Sequence, residues 1–335
     1  MISHVKIANF GPIKNINWED LKKINLIIGN NGSGKTFLLK ALYTAIRTLE
    51  EYKRGNDKRD SAEILSNRLY WTFQVDKIGD LVRKEPDAKL NFECKYNKTT
   101  YRYSFGKDTT RKIDSSEEFF TPIESDSVFI PAKEVLTLQN IILKSREQDK
   151  LFGFDETYYE LVRALRTSSN PDSNVCFDEQ CKMLENALGG RAEYEESSGV
   201  WVFKRGQQKF TIGVVAEGIK KIAMLDSLLK NNYIKKGSVI FIDEPESGLH
   251  PSTISQLLDI INELSKIDIQ FFLASHSYFV IKKLYLIAQK NKTPIPIIAA
   301  NDEKWISSNL LAGMPENSIV DESIRMYKEE YEMVL

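Results

Sequence analysis

Eight residues, Gly29-Asn30-Asn31-Gly32-Ser33-Gly34-Lys35-Thr36, constrain this chain more than any others. A strand pattern, Ile24 to Ile28, leads into them. After them Phe37, Leu38, Ala41, Leu42, Ala45, Ile46 and Leu49 recur at helical spacing. The stretch fits G-x-x-x-x-G-K-[ST] completely, and a chance match in a chain this long is roughly one in a hundred. Its glycines let the backbone wrap an anion, so that loop N–H groups and the following helix N-terminus face a phosphate. Asn31, Gly32, Ser33, Gly34, Lys35, Thr36 and Phe37 are therefore candidate nucleotide ligands. Lys35 would reach the β- and γ-phosphates, and the Thr36 hydroxyl would hold Mg²⁺.

A second acidic element completes the pattern. Val239-Ile240-Phe241-Ile242-Asp243-Glu244 reads as a buried strand ending in two carboxylates. Asp243 at the tip suits Mg²⁺ or its water shell. Glu244 points elsewhere and is the natural group to polarise an attacking water. His276 closes the strand pattern FFLASH about thirty residues later, where it would sense the γ-phosphate. Together these residues predict ATP as the ligand, with Glu244 and His276 catalytic and Thr36 and Asp243 on the metal.

Composition narrows the class of protein. The 335 residues carry 46 Lys+Arg against 47 Asp+Glu, which excludes a polybasic body that binds nucleic acid throughout. No stretch approaches the ~20 apolar residues of a membrane span, and the opening MISHVKIANFGPI lacks a signal-peptide core. Three cysteines, Cys94, Cys176 and Cys181, fit a reducing compartment better than a disulfide framework. Cys176 and Cys181 lack a second Cys/His pair nearby and read as ordinary thiols rather than a zinc site. The expectation is a cytoplasmic α/β protein.

Strands alternate with helices at the two ends of the chain, about 1–49 and 205–300, which predicts one core split by insertions. From about Leu69 to Ile130 apolar and polar residues alternate, as in KLNFECKYN and TTYRYSFGK, predicting an antiparallel β-rich insertion at about 65–130. Residues 134–188 read as a helical insertion. A tail, 301–335, has too many apolar residues for disorder, among them Leu310, Leu311, Met314, Ile319, Ile324 and Tyr327. It would cover an edge of the core or dock another protein. Tyr96, Tyr101, Tyr103 and Phe105 interleave with Lys95, Lys98, Arg102 and Lys107. That pattern reads either as a nucleic-acid face, making duplex DNA a candidate partner, or as a half-solvated β-meander.

GNNGSGKT, VIFIDEPESGLHP and LASH, in that order, resemble the ATPase heads of the ABC superfamily, in the branch of RecF, SMC and OLD nucleases. The resemblance implies an ABC-type P-loop head: a mixed-sheet core, an antiparallel β subdomain and an inserted helical subdomain. It implies a homodimer or higher oligomer with ATP sandwiched between heads, Glu246 to His250 forming the D-loop at the seam. The signature segment is expected at Ala216-Glu217-Gly218, whose residues would contact the partner's nucleotide. Ala216 replaces the usual serine there, and Lys220 is a candidate substitute for its γ-phosphate contact. Glu134 or, less well, Gln139 would occupy the Q-loop.

FIPAKEVLTL and GMPENSIVDESIRMYKEE are similar to stand-alone bacterial ATPases such as the ATPase subunit of the anti-phage system Septu. That similarity implies an ATPase controlling a separately encoded effector, such as an HNH or TOPRIM nuclease. The stretch after Ala300 is too short for a TOPRIM domain of its own. An SMC- or RecF-like repair ATPase is the alternative, although no sustained heptads mark the insertion. The ATPase subunit of a membrane transporter fits less well, given the altered signature and missing Q-loop glutamine.

Overall fold

The computed structural model describes residues 1–113, 123, 125–167, 177–301 and 304–334. It opens with strands β1 (Ile2–Phe10), β2 (Ile13–Trp18) and β3 (Ile24–Gly29), then helices α1 (Lys35–Glu51) and α2 (Ser61–Phe73). Strands β4 (Lys89–Tyr96), β5 (Thr99–Gly106) and β6 (Val128–Ile130) precede the short helices α3 (Gln139–Leu143), α4 (Glu156–Leu165) and α5 (Asp178–Leu188). A hairpin sheet β7 (Arg191–Glu195), β8 (Val200–Arg205) and β9 (Gln208–Thr211) leads to α6 (Glu217–Lys230) and β10 (Val239–Asp243). Helices and strands then alternate: α7 (Pro251–Lys266), β11 (Gln270–Ser275), α8 (Tyr278–Asn291), β12 (Pro296–Asn301), β13 (Lys304–Asn309) and α9 (Ser318–Val334).

The central sheet runs β13-β12-β3-β11-β10-β6, with every neighbouring pair parallel except the antiparallel edge β12–β13. Strands buried on both faces need mostly apolar residues, as Val239 to Ile242 provide throughout and Ile24 to Ile28 provide apart from Asn25, whose amide donates to the Lys22 and Phe271 carbonyls. Their period of two sends alternate residues into two separate cores. Leu26, Ile28, Ile240, Ile242, Phe271 and Leu273 meet the helices α4 to α8. Ile27, Phe241 and Phe272 face α1, α2 and the second sheet. There Phe272 packs edge-on to Trp18 at 6.0 Å and stacks on Phe241 at 5.3 Å. Truncating either phenylalanine to alanine would cost about 3–5 kcal/mol.

The second sheet has the order β2-β1-β4-β5 and is wholly antiparallel. Two sequence expectations change here. Residues 65–73, placed at the head of a β-rich segment, are helical, because Ile64, Leu65 and Leu69 lie on one buried face of α2. The interleaved aromatics are also not a nucleic-acid face. Tyr96, Tyr101, Tyr103 and Phe105 are all buried, Phe92 and Tyr103 stacking at 4.8 Å, and the cations alternate onto the opposite side. The half-solvated meander is the correct reading. Cys94 and Cys181 are buried free thiols, and Cys176 lies outside the described residues.

The tail returns to the core. β13 pairs along β12, with Ala300 opposite Trp305, and Leu310 is fully buried. Among the described residues no helix is long and apolar enough to cross a membrane.

Candidate functional site

Parallel strands deliver their C-terminal ends to one edge of the sheet, and β3, β10 and β11 end there side by side. From β3 the chain enters the loop 29–36. Gly32 and Gly34 have φ of +78° and +95°, backbone that other residues adopt only with strain. Leu38 N–H to the Gly34 carbonyl, at 2.8 Å, is the first hydrogen bond of α1. The N–H groups of Lys35, Thr36 and Phe37 therefore stand free of the helix ladder, as anion donors must. The Phe37 ring itself is committed to Phe10 and Phe73, at 5.0 and 4.5 Å, and only its backbone serves the loop.

Lys35 is buried, and its Nζ donates to the carbonyls of Gly29 and Asn30, both at 2.8 Å. Burial lowers its pKa, while Asp243, Glu244 and Glu246 pull the other way. The Thr36 hydroxyl donates to Asp243 Oδ2 at 2.8 Å. Asp243 Oδ1 is buried with no hydrogen-bond partner, and burial pushes this carboxyl up despite the bond from Thr36. A hydroxyl and a carboxylate with an unused buried oxygen form a donor set that fits a hard, oxygen-seeking cation such as Mg²⁺.

Glu244 follows in a left-handed turn, φ +47°, which costs about 1 kcal/mol or more for a side chain of this kind. Its N–H is held by the Ala274 carbonyl at 2.9 Å. The turn swings its carboxylate away from Asp243 to within 3.5 Å of His276 Nδ1. Glu246 accepts from Ser275 Oγ at 2.7 Å and from the His276 N–H at 3.3 Å, so it fixes the end of β11. The loop then closes on His250, whose Nδ1 caps α7, with Pro251 in the first turn.

The segment Ala216-Glu217-Gly218 stands apart from the loop 29–36. No hydrogen bond among the described residues joins them. Ala216 precedes α6 as its cap, without a side-chain bond, and it and Glu217 are exposed. Gly218 is buried, and a Cβ there would meet the Gly248 carbonyl at 2.4 Å. Lys220 cannot serve as the substitute cation. It is buried, with Nζ 3.4 Å from Glu134 and 3.1 Å from Glu217. Glu134 is buried in the same cluster and accepts from the Thr137 N–H at 3.1 Å. Gln139 is occupied elsewhere, accepting from Trp201 and donating to the Gly199 carbonyl.

Three contacts were not anticipated. Lys221, one residue beyond Lys220, donates to the carbonyls of Asp243 and Glu244 at 3.2 and 2.6 Å, and burial lowers its pKa to about 8. It ties α6 to the acidic strand tip; only the double lysine in an apolar helix hinted at it. Lys40 reaches from α1 to Asp155, the cap of α4, at 2.7 Å. Ser318, at the start of α9, donates to the Asn30 side chain at 2.9 Å.

Known proteins resemble this chain in sequence and fold. An ATP/GTP phosphatase of Helicobacter pylori is 22% identical over 319 residues, 83% of this chain and 85% of its own. The yeast Structural maintenance of chromosomes protein 6 is 25% identical over 217 residues, which cover 58% of this chain but only 18% of that much longer protein. The crystal structure of the SmcHead bound to the C-winged helix domain of ScpA superposes with a TM-score of 0.57 at 14% identity, covering 93% of this chain and 99% of that one. The fold is that of an SMC head. A family model described as "AAA domain, putative AbiEii toxin, Type IV TA system" matches residues 24–282, and the chain therefore belongs to that family and is a P-loop ATPase.

Proposed function

We propose that this chain binds ATP on the loop 29–36, closes as a dimer over it, and uses hydrolysis to govern a separately encoded effector in anti-phage defence. The observation that carries the catalytic part is the join at the sheet edge. Thr36 Oγ1 bridges to Asp243 at 2.8 Å, and Glu244, next in sequence, is turned toward His276 at 3.5 Å. Mg²⁺ held by Thr36 and Asp243 would neutralise charge developing on the phosphates. Lys35 gives up its two carbonyl contacts to take the β- and γ-oxygens, and Asn31 to Phe37 supply backbone donors. Glu244 accepts the proton of the attacking water. His276, 44% exposed and 3.5 Å from Glu244, would hold that carboxylate in place and face the γ-phosphate.

The second half of the site is absent from a single head. Ala216 and Glu217 sit exposed, which supports their use in trans by a second head, with Gly218 buried behind them against Gly248 and Leu249. The H. pylori relative's name and the SMC heads support nucleotide hydrolysis coupled to a partner. Described helices of the 134–188 region are at most 11 residues long, too short for SMC-like coiled-coil arms, and this favours a stand-alone regulatory ATPase.

Two measurements test the reading. Lys35→Ala should abolish binding of labelled ATP; unchanged affinity rejects the loop as the site. Copurification from the native operon, with mass spectrometry, should yield a nuclease or other effector. The purified chain should hydrolyse ATP slowly and leave duplex DNA uncut in Mg²⁺ and ATP, and contaminant-controlled cleavage would reject the division of labour.

A further inference from the structure

Helix α9 is anchored at one end and bare along the rest. Asn317 is buried and caps the first turn by accepting from the Ile319 N–H, while Ser318 holds Asn30. Among the described side chains of the helix, Val320 is the last to be buried in the core. Beyond it the chain runs on as helix through four more turns with almost every side chain exposed. A lone helix of 17 residues, about 25 Å long, is marginal in water unless a face is packed.

Its sequence has such a face. Val320, Ile324, Tyr327 and Tyr331 follow one another at spacings of four, three and four, the a/d stripe of a coiled coil. Ile324, Tyr327 and Tyr331 are 47%, 69% and 58% exposed. The opposite side carries Arg325, paired with Glu322 at 2.7 Å and Glu329 at 2.9 Å within the helix, and the exposed Met326 and Met333. Asp321 and Lys328 flank the stripe on one side, and neither forms an ion pair among the described residues.

We infer that α9 is a self-complementary interface that pairs antiparallel with the α9 of a second copy of this chain, without nucleotide. Antiparallel pairing about the middle of the helix sets Val320 against Tyr331 and Ile324 against Tyr327 of the other copy. In that same register Asp321 comes beside Lys328 of the other copy, and two-fold symmetry makes the ion pair twice. Parallel pairing would set Ser323 against Lys328 and leave both charges unmatched. The charges thus select one orientation and one occupant. This contact is distinct from the ATP-sandwiched seam, and because α9 begins on Asn30 it links the nucleotide loop of each copy to the pairing helix.

Sedimentation velocity of the full chain in EDTA without nucleotide tests this, with circular dichroism confirming that each variant is folded. The parent should self-associate, and Ile324→Glu should abolish the association. Asp321→Lys or Lys328→Asp alone creates two like-charge contacts and should weaken association roughly tenfold. An equimolar mixture of those two single variants restores opposite charges at both contacts, and should recover the parent's affinity as a heterodimer. A parent that stays monomeric at ~100 µM, an Ile324→Glu variant that associates normally, or a mixture that fails to recover would each overturn the inference. So would association that appears only when a different protein is added.

Discussion

The hydroxyl of Thr36 lies 2.8 Å from Asp243 although 207 residues separate them, and this bond fastens the phosphate loop to the acidic strand. It holds one carboxylate oxygen and leaves the other buried and unpartnered. Without a cation, that arrangement costs stability in order to keep a charge in place. Asp243→Asn keeps the shape and the bond from Thr36 while removing the buried charge. We expect Mg²⁺-dependent hydrolysis to fall by 100-fold or more, while the nucleotide-free protein gains about 1 kcal/mol, or roughly 1–2 °C in Tm. Calorimetry in EDTA beside a phosphate-release assay measures both. A variant that is both less active and less stable would mean Asp243 is mainly structural.

Glu244→Gln should retain ATP binding and slow turnover by about 100-fold or more, because an amide cannot accept the proton of the attacking water. The backbone turn at φ +47° is the same for either side chain, so the variant should fold normally. It should also accumulate the ATP-bound dimer, visible by light scattering. Parent-like turnover would remove Glu244 from the mechanism.

Ala216→Ser is expected to act twice. Position 216 caps α6 without a side-chain bond, so a serine there should add about 1 kcal/mol of stability in the absence of nucleotide. If the segment reaches a partner's γ-phosphate, ATP-dependent association should tighten as well, by about tenfold for one added charge-assisted bond. Melting without ATP and sedimentation with it separate the two effects. A gain in melting temperature alone would leave the cap and discard the contact in trans.

What was readable in advance follows from physical range. GNNGSGKT, IFIDE and LASH were legible because each is a local pattern, and parallel strands bring their ends to one edge. Lys220 and Lys221 show the limit: both lie on α6, but only packing decides that one meets Glu134 and the other the carbonyls of Asp243 and Glu244. Alternation in TTYRYSFG marked a two-faced strand without saying which face was covered. β13 escaped notice because KWISSN is an edge strand with polar residues on both sides, so it carries little apolar signal. Leu69 to Phe73 read as the start of a β-rich segment because the helix they end begins within a charged stretch.

The last prediction concerns a buried ionic network that no local pattern announced. Glu160 of α4 receives Arg68 of α2 through two bonds of 2.9 and 3.0 Å, Arg47 of α1 at 3.2 Å and the Tyr43 hydroxyl at 2.5 Å. Burial alone would raise its pKa, but Arg47 and Arg68 outweigh burial and hold the carboxyl well below the ordinary glutamate range. A lowered carboxylate pKa stabilises the fold above the unfolded value near 4, and that stability is lost as pH falls through the folded value. Glu160→Gln leaves two buried guanidinium groups short of a counter-charge and should cost about 3–5 kcal/mol at pH 7. The gap between parent and variant should then narrow steadily below about pH 4, as the unfolded parent's Glu160 takes up a proton that the folded one, held by Arg47 and Arg68, resists. Guanidinium denaturation at pH 7, 5, 4 and 3 follows it. A gap that does not change with pH would mean the loss comes from packing, and the pairing of Glu160 with Arg47 and Arg68 would not be what joins α1 and α2 to α4.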